Sequence, residues 1–246
     1  MQRHWNKKYY YALVIGLIVT IIALFSAIYF TRQNAVNQTS DTYKDFNDLK
    51  HHTTQNKDWK ISTKHVKNDN ILITAIHGGG IEPGSTEIAR RIANIGKYDF
   101  YSFQGLLPAD NQRLHITSTN YDEPQLMNML AATKETISVH GFNGEDPFIY
   151  IGGKDKYMAK AIRTELRKAG FTIKSSPKGI EAMSEDNFVN QNGTDSGVQL
   201  ELTTKQRQLF FKDLKLDKTT RNNSDNYTHT FYKFAKAVHK GIEKAK

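Results

Sequence analysis

The chain of 246 residues contains no cysteine. That excludes a disulfide scaffold, a thiol nucleophile and any thiolate metal site, so a metal here must be held by histidine and carboxylate. Apolar residues are also few, at 38%. Thirteen phenylalanines and twelve tyrosines still supply the bulk for a core, which excludes wholesale disorder. The mean hydropathy of −0.60 excludes a polytopic membrane protein. Runs of basic residues are absent. Residues 1–32 hold four of the 34 Lys and Arg and none of the 25 Asp and Glu, leaving 30 against 25 in the remainder. Spread along the chain, that mild excess does not suggest a nucleic-acid partner. It suits the capture of an acidic substrate, and equally a solvated surface.

Long hydrophobic runs are absent but for one. Residues 9–30, YYYALVIGLIVTIIALFSAIYF, carry no charge. As a helix rising about 1.5 Å per residue, this run spans roughly 30 Å of hydrocarbon. Tyr9, Tyr10 and Tyr11 at one end and Tyr29 at the other suit the two interfaces of a bilayer. Arg3, Lys7 and Lys8 precede the run and only Arg32 follows closely, which directs the N-terminus inward and the rest outward. A cleaved signal peptide and a secreted product are the alternative. The run exceeds the core of about 7–15 residues typical of such peptides, and no small-x-small site follows it. The expected organisation is a cytoplasmic N-terminus (1–8), a transmembrane anchor (9–30), a polar linker (31–41) and a monomeric extracytoplasmic domain (42–246).

In the outer part, short apolar runs alternate with helical periods. Strands are expected at 59–66, 71–77, 98–103, 114–118, 136–140, 148–151, 171–174 and 198–202. Helices are expected at 85–95, 123–132, 156–169, 205–214 and 227–245, after a short one carrying Tyr43, Phe46 and Leu49. The alternation implies an α/β domain, an open mixed, largely parallel sheet covered by helices on both faces. Such sheets gather their chemistry at the carboxyl ends of strands.

The first candidate site lies at such an end. A buried strand reaches His77, three glycines follow, and Glu82 precedes a helix starting near Ser85. The glycines let the backbone turn sharply, so a His and a Glu five positions apart can face one point. Both suit zinc. Glu82 stabilising the positive end of the following helix, and His77 as an ordinary strand-end residue, explain the same pattern equally well. His-Gly-Gly-Gly also forms oxyanion loops in lipases and esterases, but those need a Gly-x-Ser-x-Gly elbow, which this chain lacks. A second strand ends in His140-Gly141. With His77 and Glu82 it completes two histidines and one carboxylate, the usual donor set of a hydrolytic zinc centre. In GVQLELT, residues 197–203, Glu201 alternates with apolar neighbours. It is either a solvated strand residue or the non-ligand carboxylate that such a hydrolase needs for proton transfer.

Taken in order, IHGGGIEPGSTEIARRIA, LHITSTNYDEP, ISVHGF and GVQLELT resemble the poly-γ-glutamate hydrolases, zinc peptidases of phages and bacteria. The resemblance runs from about Tyr43 to the C-terminus. It implies a fold similar to the zinc carboxypeptidases and cleavage of γ-glutamyl amide bonds. It also implies Zn2+ held by His77, Glu82 and His140, with Glu201 at the position of the general base. Where carboxypeptidase-like enzymes hold the substrate carboxylate with an Asn-Arg pair, this chain has Asn190-Gln191. Arg207 and Arg113 therefore stand beside Asn190 as candidates for substrate binding. His115 falls within the second motif with no assigned role. The alternatives are a zinc amidohydrolase for another acidic peptide or N-acyl amino acid, and a non-enzymatic polymer-binding membrane protein.

Overall fold

The computed structural model describes residues 11, 13–24, 26, 41–66 and 70–246. The chain divides into two compact units, 1–40 and 41–246. In the first, residues 13–24 are helical and expose leucine, isoleucine and valine side chains. The Thr20 hydroxyl donates back to the carbonyls of Gly16 and Leu17. Among the described residues no helix is long and apolar enough to cross a membrane. The N-terminal segment 1–8, both ends of the expected span and linker residues 31–40 lie outside the described residues.

The second unit runs α1 (Phe46–His52), β1 (Trp59–Lys64), β2 (Ile71–Gly79), α2 (Ser85–Gly96), β3 (Asp99–Gly105), α3 (Pro124–Ala131), β4 (Glu135–Phe142), β5 (Ile149–Gly152), α4 (Lys156–Lys168), β6 (Ile173–Lys174), β7 (Val198–Thr203), α5 (Thr204–Gln208), α6 (Lys218–Asn222) and α7 (His229–Ala245). The sheet has seven strands in the order β1-β3-β2-β4-β7-β5-β6, with β1/β3 and β5/β7 antiparallel and the other pairs parallel. This is the mixed, largely parallel sheet that the alternation implies. Its central strands β2, β4 and β7 are buried along most of their length, with polar residues alternating with apolar ones on β4 and β7.

One face packs Ile71, Ile73, Val139 and Leu200 against α2, α4 and α7. The opposite face packs Leu72, Tyr101 and Phe103 against α1, α3 and Trp59. Helix boundaries follow local chemistry. Asp155 caps α4 by accepting from the Met158 N–H; Met158, Ile162 and Leu166 form its buried stripe. Gly170, at φ +80°, lets the chain leave the helix.

Two expected elements differ. Residues 205–214 do not form one helix: α5 stops at Gln208, and Phe210 and Phe211 are both fully buried. Burying one phenylalanine contributes about 2 kcal/mol, more than the fraction of a kcal/mol per residue at stake in helix propensity. Residues 114–118 do not form a strand. Leu114 and Ile116 are buried in alternation, as a strand's would be, but the backbone is bonded elsewhere. The Ile116 carbonyl faces His77 Nε2, the Thr117 N–H donates to Asp41, and the Ser118 carbonyl accepts from the Phe188 N–H. Side chains and a loop take the place of a ladder partner.

Candidate metal centre

The sheet sets the positions of His140 and Glu201. These residues are direct partners across β4 and β7, so their side chains leave the same face of adjacent strands. His77 reaches that face by a different route. Strict alternation along β2 would send it with Ile71, Ile73 and Ala75 into the helical layer. Against β3, however, Ala75 pairs with Ser102 and Gly78 with Gln104, so β2 carries one extra residue. This bulge turns His77 to the opposite face. Gly78 fits beside it because a Cβ there would lie 2.1 Å from Thr86 Oγ1 and 2.6 Å from the Phe103 carbonyl. Gly79, at φ +65°, begins the turn, and the Glu82 N–H closes it on the His77 carbonyl at 2.9 Å.

Two imidazole nitrogens and the two oxygens of one carboxylate converge as a result, the set able to offer one ligand atom each within 4.8 Å of one another. His77 Nδ1 lies 3.0 Å from Glu82 Oε1 and 3.1 Å from His140 Nδ1, and His140 Nδ1 lies 3.7 Å from Glu82 Oε2. Both histidines are 2% exposed, so water does not separate these atoms. His77 Nε2 sits 2.9 Å from the Ile116 carbonyl and must carry the proton for that bond. Its Nδ1 then meets a carboxylate oxygen and a second imidazole nitrogen together. One proton can serve only one of those contacts, whereas a cation between the three atoms serves all of them. A tetrahedral ion with ligands at 2.0–2.1 Å sets them about 3.3 Å apart, close to the spacings found. The donor set therefore fits zinc.

The surrounding charges suit that ion. Against the upward push of burial, the three nearby imidazoles hold the Glu82 carboxyl down to about 2. Burial, with repulsion from His77 and His115, drives His140 down to about 3 against the pull of Glu82. For His77, burial works downward, but the Glu82 charge and hydrogen bonding outweigh it and raise the pKa. At neutral pH Glu82 is thus ionised and His140 is neutral, the states in which each donates to a metal. The Gly141 N–H donates to Glu82 Oε2 at 2.7 Å and fixes the carboxylate. Glu201 is buried, and accepts from Gln199 Nε2 at 2.7 Å. Burial and the Glu82 charge push its carboxyl well above the usual range, against Gln199 and Arg207.

The other expected residues divide. Arg207 is buried against Gly141, where a Cβ would lie 2.6 Å from its Cζ. It donates to the carbonyls of Leu202 and Pro83 and to the Thr204 hydroxyl, leaving two of its five N–H bonds for other acceptors. Arg113 is exposed on the turn Asn111–Leu114, and its guanidinium has no acceptor among the described residues. Asn190 is a correction. Its amide donates to the carbonyls of Ala182 and Ser184 and accepts from the N–H groups of Lys154 and Gly197. All its capacity is spent on organising a loop, and none is left for a substrate carboxylate.

Two neighbours were not apparent from residue types alone. The His115 ring lies 4.0 Å from that of His77 at 31°, and its Nδ1 is 2.7 Å from Asp41 Oδ1. Only the LHITS motif pointed towards His115. Asp41, expected to end the linker, is instead bonded into the site and begins the second unit.

Replacing His140 with Ala removes one of three donors. Zinc content of the purified chain, measured by elemental analysis after dialysis, is expected to fall from about one ion per chain to near none, with affinity more than about 100-fold weaker. Full occupancy in His140→Ala would move the ion elsewhere.

Comparison with known proteins places these features in a family. The poly-gamma-glutamate hydrolase family matches residues 43–237. The UPF0714 protein YmaC of Bacillus subtilis (strain 168) is 33% identical, over 93% of this chain and 95% of its own length. The prophage-derived UPF0714 protein YoqZ of the same organism is 35% identical, over 92% and 78%. The solved bacteriophage poly-gamma-glutamate hydrolase is 32% identical with a TM-score of 0.80, over 83% of this chain and 98% of that one. A zinc-free apo structure of YNDL is 33% identical with a TM-score of 0.76, over the same shares. Sequence, overall fold and matched length agree, and the chain belongs to the poly-gamma-glutamate hydrolase family.

Proposed function

We propose that this protein is a zinc-dependent hydrolase that cleaves the γ-glutamyl amide bonds of poly-γ-glutamate outside the cell. The observation that carries the reading is the convergence of His77 Nδ1, His140 Nδ1 and the Glu82 carboxylate, with Glu201 on the strand beside them. The family and the bacteriophage structure support the substrate, and the zinc-free form of YNDL supports the choice of metal.

Zinc in this site supplies a Lewis acid that polarises the amide carbonyl and makes water a stronger nucleophile. The chain's own residues do the remainder. His77, Glu82 and His140 would hold the ion. The charge of a bound zinc would offset the burial and the Glu82 charge that favour the acid form of Glu201, so Glu201, next to His140 but outside the donor set, would ionise, take the proton of the attacking water and return it to the departing nitrogen. Arg113, exposed and without an acceptor among the described residues, and Arg207, close to Glu82 and Glu201 with two N–H bonds to add, are the candidates for a free α-carboxylate of the polymer.

The direct test is incubation of the chain with purified poly-γ-glutamate, following product size. Chain shortening is expected, with α-linked polyglutamate cleaved far more slowly. Both polymers carry the same charge per residue, so only linkage geometry separates them. Equal rates would reject the γ-preference in favour of a general acidic-peptide hydrolase.

Glu201→Gln tests the proton-transfer role. Glutamine has the shape of the neutral carboxylic acid that burial favours, and its oxygen can still accept from Gln199, so folding and zinc content are expected to be normal. Turnover is expected to fall by about 10²–10⁴-fold. Zinc loss in this variant would instead make Glu201 a ligand.

The membrane anchor and outward orientation are part of the same proposal and rest on the uncharged residues 9–30 and the basic residues before them. Protease added to intact cells is expected to release the domain 42–246. Protection until lysis would reverse the orientation.

A further inference from the structure

The fold collects charge that the sequence disperses. Residues 41–246 hold 30 Lys and Arg and 25 Asp and Glu. Helices α4 and α7 alone carry nine of the former and two of the latter, which leaves 21 against 23 for everything else in the unit. The basic excess of the domain is therefore the excess of two helices.

Those helices lie side by side. Gly241 of α7 meets α4 so closely that a Cβ there would be 2.5 Å from Ile162 Cα. Both acidic residues are already engaged. Glu165 Oε1 is shared by Lys168 at 3.2 Å and Lys244 at 2.6 Å, the second contact tying the helices together. Glu243 accepts from the Tyr98 hydroxyl and pairs with Lys246. The remaining cations form two stripes. On α4, Lys156, Lys160, Arg163 and Arg167 follow one another at intervals of four, three and four residues; on α7, Lys233, Lys236 and Lys240 do so at three and four. Lys160, Arg167, Lys233, Lys236 and Lys240 are exposed, and none has a carboxylate partner among the described residues. Exposed like charges on adjacent helices repel one another weakly, and an anion brought to them relieves that repulsion.

We infer that the α4/α7 face is a second binding site, outside the metal centre, for a polycarboxylate chain, and that it holds the polymer whose bonds the metal centre cleaves. The occupant rests on the function proposed above. Spacing favours it. Cations three and four residues apart on a helix are separated by about 4.5 and 6 Å of rise. A γ-linked glutamate contributes five main-chain bonds per unit, so an extended strand offers a free carboxylate about every 6 Å, against about 3.5 Å for the α-linked polymer. A membrane surface is the less favoured occupant. Both helices turn their leucine, isoleucine and phenylalanine into the core, and tyrosine is the one large apolar type exposed on them, so an inserting apolar face is lacking.

The experiment uses the full chain with Lys233→Gln, Lys236→Gln and Lys240→Gln combined, beside a control with Lys44→Gln, Lys50→Gln and Lys57→Gln. The control residues are exposed and belong to the part of the chain that covers the opposite face of the sheet. Binding is read by electrophoresis through gels containing poly-γ-glutamate, in a Glu201→Gln background so that no polymer is consumed. The α7 triple variant is expected to bind about tenfold more weakly at low salt, with a flatter salt dependence. The control is expected to bind as the unmodified chain does. In the active background, the α7 variant should show a raised KM for long polymer and an unchanged rate on a short γ-glutamyl oligomer. Unchanged polymer binding by the α7 variant would overturn the inference, as would equal loss in the control, which would reduce the effect to net charge. So would loss of binding to phosphatidylglycerol vesicles with polymer binding intact, which would make this a membrane-facing surface. If the unmodified chain binds polymer through these lysines but cleaves none, the hydrolase reading fails and the binding face stands.

Discussion

Two imidazoles and a carboxylate, their ligand atoms within 4.8 Å of one another and nearly out of reach of water, are the constraint around which this domain is built. Bringing two imidazole nitrogens and a carboxylate together costs desolvation and lone-pair repulsion, and a single proton relieves only part of it. The elements at the site answer that cost. The bulge in β2 turns His77 round, the glycines after it allow the tight return to Glu82, and the Gly141 N–H pins the second carboxylate oxygen. Arg207 adds a positive charge near Glu82 and Glu201. Each arrangement makes chemical sense once a divalent cation completes the cluster.

Much of this was legible in the sequence because strand periodicity carries direction as well as element type. Alternation in GVQLELT placed Glu201 away from Val198, Leu200 and Leu202, and the structure has those three in the core with Glu201 opposite His140. For His77 the same rule points the wrong way, since a bulge is a property of the pairing between two strands and leaves no mark on either strand alone. The helices α2, α4 and α7 were legible from their apolar stripes, and the end of α4 from Gly170. Residues 205–214 were not, because consecutive buried residues such as Ile88 and Ala89 also occur within helices, so Phe210 and Phe211 fit a helical stripe and did not mark the break.

Sequence reasoning failed most where a residue is held by groups distant along the chain. Asn190 resembled a polar residue free for a ligand, yet four backbone groups on three segments use its amide. Asp41 resembled linker, yet it holds His115 against His77 from 74 residues away. Residues 114–118 have the alternation of a strand but bond to these same side chains. The charge of the domain misled in another way. Counted along the chain it is diffuse, and only the packing of α4 against α7 gathers it.

The placement of His140 and Glu201 as a directly opposed pair on β4 and β7 also concerns the durability of the site. Their separation is inherited from the spacing of hydrogen-bonded strands, about 4.8 Å, and not from loop conformation. Central strands open only with global unfolding, whereas loops open far more often. The spacing of His140 and Glu201 is therefore guarded by the hydrogen bonds at the centre of the sheet. Glu82, on the turn after β2, has no such support from the sheet, and its place depends on the bond it accepts from the Gly141 N–H at the end of β4.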